Sequence, residues 1–228
     1  QTAVMETLLS KQEGKVKPAG IPLWSVMMTR QLVLLDGNYF AQQRKRQEED
    51  AELKIQNSLI DIIAQAPIYP EQLFMTCVES AATFVDRQFV LDVLRFIAIT
   101  EFGIRPQDLK ALMGEKWDNL KFAELKRHMG SLLAIDEESG TIDFAYSNFR
   151  SEIYIQAGEQ LAPYFAALIT HLGDISKNEI DNNIIGNEIP YLAVKYTTAA
   201  VMDYILDNDR GHLRDKSVYA LADLTFRK

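Results

Sequence analysis

Apolar residues recur at helical spacing along most of the chain, and strand-like runs stand together at only one place. Val4, Met5, Leu8 and Leu9 lie on one face of a helix predicted over residues 2–11, with Gly14 as its left-handed cap and Pro18 beyond it. Pro22 suits the first turn of a second helix, where its missing N–H costs nothing, and this helix runs to about residue 35. Asp36, Gly37 and Asn38 then turn the chain. Residues 39–66 form the longest helical pattern, polar in its middle and amphipathic at Ile55, Leu59, Ile62 and Ile63. Pro67 and Pro70 bracket a linker, and residues 71–86 make a fourth helix carrying Leu73, Cys77 and Phe84. Residues 1–86 therefore read as a bundle of about four helices with short connections.

The next stretch changes rhythm. Residues 88–101 are apolar nearly all round, at Phe89, Val90, Val93, Leu94, Phe96 and Ile97, so that helix is expected to be buried. A turn at 102–104, a helix from Arg105 to near Gly114, and a helix over 120–132 follow. Short strands are predicted at 133–135 and 141–144, around the acidic turn 136–140, and residues 148–156 are helical again. Helix, helix, helix, wing is the order of a winged-helix domain, placed at 87–156. Residues 157–228 form a C-terminal helical segment: a helix at 160–172, a polar Asn-rich stretch at 173–188 read as a loop or a short helix, then helices at 189–206 and 213–226. Helix pairs of this kind can start a repeat array, but one pair shows no period. The fold class is mainly α.

Charge narrows the partners. The net charge of −8 argues against a protein whose main surface grips nucleic acid or an anionic membrane. Basic and acidic halves of the run at 42–54 offset each other, as on a solvated helix face. Cys77 is the only cysteine, which excludes an intrachain disulfide and fits a reducing, cytoplasmic setting. No apolar run approaches the roughly 20 residues that span a bilayer, and no signal peptide is evident. The chain opens on Gln1 inside a helical pattern, which leads to the expectation of a longer polypeptide.

Little in the sequence points to catalysis. Gly14-Lys15-Val16 lacks both the earlier glycine and the following Ser or Thr of a phosphate-binding loop. His128, His171 and His212 have no partner at metal-ligand spacing, and Cys77 reads as a buried, inert thiol. Asp136, Glu137 and Glu138 read as a solvated hairpin tip. In a DNA-binding winged helix the third helix enters the groove. Here it carries Lys121, Lys126, Arg127 and His128 against Glu124, and the acidic wing would repel phosphates, so protein packing is the preferred role.

Four stretches carry a family resemblance. Gly20-Ile21-Pro22-Leu23 opens a helix in the first bundle, and residues 24–37 continue it. Residues 97–114 pair an apolar helix with a small turn and a second helix. Residues 140–154 place a strand before Phe149-Arg150. In this order they resemble the C-terminal half of the ATPase module of STAND proteins, the signal-transduction ATPases that include NACHT members. The resemblance covers about residues 1–156. It implies a helical lid over ATP or ADP bound mainly by an upstream domain, with Pro22 against adenine, Ile21 beside it and Gly20 permitting close backbone approach. It also implies a histidine after the second wing strand that contacts phosphate. Tyr146 stands there instead, and a tyrosine hydroxyl donates one hydrogen bond but carries no positive charge at neutral pH. Tyr146 is either a substitute contact or the mark of a module that does not sense ADP in that way.

The resulting expectation is a regulatory lid and winged-helix region without catalysis of its own. Its partners would be the upstream nucleotide-binding domain, C-terminal repeats of the same polypeptide and further proteins, with no membrane. The alternatives are a winged-helix DNA-binding regulator and a helical protein-interaction scaffold.

Overall fold

The computed structural model describes residues 2–34, 51–176, 188, 191 and 192. The described chain is mainly helical, with one small antiparallel sheet of two strands. It falls into two compact units, Gln1–Arg87 with Glu124–Met129, and Gln88–Ala123 with Gly130–Lys228.

In the first unit, α1 (Thr2–Ser10) packs along α3 (Ala51–Gln65), and α2 (Pro22–Val33) along α4 (Pro70–Phe84). Pro22 and Pro70 stand at the starts of their helices, where proline fixes φ and gives up no intrahelical bond. Gly14 has positive φ, but it does not cap α1. It sits in a tight turn closed by paired bonds between Glu13 and Val16, beyond the helix end at Ser10. The core holds Trp24, Met27, Met28, Ile63, Leu73, Phe74, Cys77 and Val78. Trp24 is fully buried, and its indole Nε1 donates to the Pro67 carbonyl at 2.7 Å. A large side chain buried with its one polar atom satisfied fixes the linker between α3 and α4. The expected helix over 39–50 and the turn at 36–38 lie outside the described residues.

In the second unit, α5 (Arg87–Ile99) is buried at Phe89, Val90, Val93, Leu94, Phe96 and Ile97, as its unbroken apolar pattern requires. Pro106 opens α6 (Pro106–Met113), a short 3-10 turn follows at Gly114–Lys116, and α7 runs over Asn119–Met129, its part from Glu124 on belonging to the first unit. A 3-10 turn, Gly130–Leu132, finishes the segment predicted as one helix to residue 132.

The hairpin pairs β1 (Leu133–Ile135) with β2 (Ile142–Phe144) in the register Leu133↔Phe144, Ala134↔Asp143, Ile135↔Ile142. Its tip is held by Asp136, whose Oδ1 accepts from the amides of Glu138 at 2.9 Å and Ser139 at 2.7 Å. Those backbone donors hold the Asp136 carboxyl below its ordinary pKa. An isolated bridge adds Ile104 beside Ile142.

Then come α8 (Ser147–Ala157) and α9 (Ala162–Ser176). α9 passes through Gly173 and four residues beyond the predicted end at 172. One interior glycine costs about 1 kcal/mol, too little to stop a helix whose one proline, Pro163, stands in its first turn. The predicted helices at 189–206, apart from residues 191 and 192, and at 213–226, and with them the start of a repeat array, lie outside the described residues. No helix among the described residues is long and apolar enough to cross a membrane.

Candidate functional site

The entry to α2 is built by backbone alone. Pro18–Gly20 forms a 3-10 turn in which the Gly20 amide donates to Lys17 O at 3.0 Å and the Ile21 amide to Pro18 O at 2.8 Å. Ile21 is extended (φ −99°, ψ 110°) and occupies the N-cap without a side-chain capping bond. Ser25 Oγ donates back to Ala19 O at 3.1 Å and steadies the turn. Gly20 and Pro22 are exposed, and Ile21 is half-buried. A Cβ on Gly20 would meet no atom within 4 Å, so packing among the described residues does not demand glycine there.

The cleft of about 430 Å³ in this unit is lined by the far end of α2 at Met28, Gln31 and Leu34, with residues of α3 and α4. Gly20, Ile21 and Pro22 are not among its walls.

Tyr146 is the N-cap residue of α8, two residues past the end of β2 (φ −139°, ψ 131°). It is 41 % exposed, and its ring meets Phe149 edge-on at 5.4 Å. The hydroxyl makes no hydrogen bond among the described residues. Gly20, Ile21 and Pro22 thus belong to the first unit and Tyr146 to the second.

Arg150, one turn along α8 from Tyr146, is structural. Its Nη2 reaches Asp143 Oδ1 at 2.5 Å and Oδ2 at 2.7 Å, and its Nη1 donates to Ala98 O at 3.2 Å. Burial raises the Asp143 pKa, and the guanidinium offsets only part of that rise. This triangle ties β2, α8 and the end of α5 together.

Three further polar ties escaped the sequence reading. Asp108, buried on α6, accepts from Arg105 at 2.6 and 3.1 Å, and its Oδ1 lies 3.0 Å from His171 Nε2 on α9. Burial would raise its pKa, but the His171 and Arg105 bonds outweigh that and hold it low. Buried Glu188 accepts from the consecutive amides of Glu101 at 2.6 Å and Phe102 at 3.0 Å. Asp92, in the middle of apolar α5, is bonded to Gln88 and Tyr164. Gln88–Asp92 and Arg105–Asp108 stand at helix spacing, but the ties to Tyr164, to His171 and from Glu188 have no local signal, because those partners lie 63 to 87 residues apart.

Cys77 is buried, and loss of solvation pushes its thiol up to about 11, so it is not a nucleophile at neutral pH. Among the described residues no group of three His, Cys, Asp or Glu is arranged to hold a metal ion. Comparison with protein-family models, characterised proteins and solved structures gives no match.

Proposed function

We propose that this chain is the helical lid and winged-helix region of a STAND-type signalling ATPase, relaying nucleotide state and catalysing nothing by itself. The observation that carries the reading is the start of α2. An exposed Gly20-Ile21-Pro22 turn leads into an uncapped helix, with a glycine that packing among the described residues does not require. Such a turn offers a flat apolar edge and close backbone approach to a planar base. Tyr146 adds an exposed hydroxyl without a partner among the described residues, anchored through Phe149 and the Asp143–Arg150 pair.

In this reading ATP or ADP is held mainly by an upstream domain. Gly20, Ile21 and Pro22 contact the base, and Tyr146 donates to a phosphate oxygen. The helix–helix–helix–hairpin unit then passes the nucleotide state to C-terminal repeats as a two-state switch in the cytoplasm, with protein partners downstream. The DNA-binding alternative draws no support from α7, whose C-terminal turn is engaged within the first unit.

The test is ADP affinity in a polypeptide that carries the upstream domain. Pro22→Ala and Tyr146→Phe should each weaken binding severalfold, about 1 kcal/mol for one apolar contact or one hydrogen bond. Unchanged affinity in both variants would remove the assignment.

A further inference from the structure

The cleft of the first unit, about 430 Å³, lies within the range of small-molecule sites, about 300–1,000 Å³. Packing normally closes such a space. Here α4 presents Leu73, Thr76, Ser80 and Phe84 to it, steps of three, four and four residues along one helix face. Leu73 is buried, and Phe84 stands exposed at the other end of that face. Between them come two short hydroxyl side chains, and these leave the room that two longer apolar residues would fill. Met28 on α2, Ile62 on α3 and Pro67 in the linker add apolar walls.

The walls are set before any ligand arrives. Met28 and Leu73 are each 1 % exposed, and the Pro67 carbonyl is fixed by the Trp24 indole at 2.7 Å. A site of this kind needs a few polar groups to orient what it holds. Three helices supply them: the carboxamides of Gln31 and Gln65 and the hydroxyls of Thr76 and Ser80. Gln31 is steadied by a hydrogen bond with the Cys77 thiol. Thr76 Oγ1 donates to Gln72 O at 3.2 Å and can still accept. The side chains of Gln65 and Ser80 make no hydrogen bond among the described residues.

No residue lining the cleft carries a charge. An ion entering it would give up hydration and meet no counter-charge, whereas an uncharged polar group would exchange water for carboxamides and hydroxyls.

We infer that this cleft binds a small uncharged organic molecule with an apolar body and a hydrogen-bonding group that both donates and accepts. The body lies against Met28, Leu73 and Phe84, and the polar group is met by the neutral carboxamides and hydroxyls of the walls. The inference is independent of the nucleotide reading. None of Gly20, Ile21, Pro22 or Tyr146 lines the cleft, and its walls offer no cation to a phosphate.

Three probes of nearly the same shape and different charge test it on the full chain: benzamide, sodium benzoate and benzamidinium chloride. Binding is read from the NMR shifts of the Met28 and Leu73 methyl groups. Benzamide is expected to bind with a dissociation constant of about 1–5 mM, a modest yield for a ligand of its size. Both ions should bind about tenfold more weakly or worse.

Thr76→Leu and Ser80→Leu each fill part of the cleft, and each should weaken benzamide by about tenfold or more. Thr76 is exposed and Ser80 half-buried, and the added carbons enter free space, so urea midpoints should stay near that of the parent chain. Equal or tighter binding of either ion would overturn the inference. So would the absence of benzamide shifts at these methyl groups up to about 20 mM, or binding indifferent to both fillings.

Discussion

The Phe84 ring lies over the His128 imidazole, centroids 4.6 Å apart and planes inclined by 17°. His128 is 98 % buried by its side chain, while Phe84 is 64 % exposed and acts as its cover. Burial lowers the His128 pKa below the ordinary histidine value. Arg127 and Arg30 push the same way, and only Glu124 opposes them. The imidazole is therefore neutral in the folded chain at neutral pH. With the folded pKa depressed, acid protonates the unfolded state first. Stability should be full above the unfolded pKa of about 6.5 and fall as pH drops below it. Urea unfolding between about pH 7.5 and 5.5 reads this. The slope should shrink in His128→Phe, and superimposable profiles for the two proteins would show that His128 carries none of it.

Two glycines of positive φ separate strain from collision. Gly140, at φ 69°, turns the hairpin, and a Cβ there would meet nothing within 4 Å. Gly103, at φ 78°, would place a Cβ 2.9 Å from the Ile142 carbonyl oxygen. That carbonyl accepts the Ile104 amide at 3.0 Å, so it has little freedom to withdraw. Gly140→Ala should cost about 1 kcal/mol, the left-handed penalty alone. Gly103→Ala should cost about 2–4 kcal/mol, because strain and overpacking add. It should also speed amide exchange at Ile104 and Ile142. Equal losses for the two variants would mean that the bridge yields freely.

The Asp143–Arg150 pair is predicted to hold β2 to α8. Removing the guanidinium leaves a half-buried carboxylate and the Ala98 carbonyl short of a donor. Arg150→Met should destabilise by about 2–3 kcal/mol. Asp143→Asn combined with it should cost less than the two single changes summed, since no charge is then left unpaired. Additive losses in a denaturant double-mutant cycle would show that the pair is not coupled.

These relationships mark the boundary of what local pattern can tell. Helix starts at Pro22, Pro70 and Pro106 were legible because proline restricts its own backbone. The burial of α5 was legible because an all-round apolar face leaves no side for water. The hairpin was legible through its two short apolar runs and Gly140. Asp92 contradicts the pattern it sits in; Gln88, one turn back, meets it locally, but Tyr164, on another element 72 residues away, could not be read from the chain. Asp108 with His171, and Glu188 with the amides of Glu101 and Phe102, are likewise pairings across long separations. Of the candidate site, the residue types could be read from the chain, but the exposure of Pro22 and Tyr146 could not. The anchoring of the Tyr146 segment by Arg150 could not, because a strand carboxylate and a helix guanidinium seven residues apart share no periodic signal.

The same reasoning predicts that α7 does not read DNA. Its basic residues suggest a groove-facing helix, but their chemistry is already engaged. Arg127 is 2.9 Å from Glu124, and His128 is buried. The carbonyls of Arg127 and His128 accept from the Arg30 guanidinium, the latter at 3.1 Å. A cation at a helix C-terminus satisfies orphan carbonyls and complements the helix dipole. Arg30 therefore caps α7, and Arg30→Met should lower stability by about 1–3 kcal/mol, read as a shift of the urea midpoint. Duplex DNA at about 50 mM salt, where phosphate contacts are strong, should give no mobility shift. Lys126→Glu with Arg127→Glu should change nothing. A shift that weakens steeply with salt and is lost in that double variant would show that α7 reads a duplex despite its engaged end.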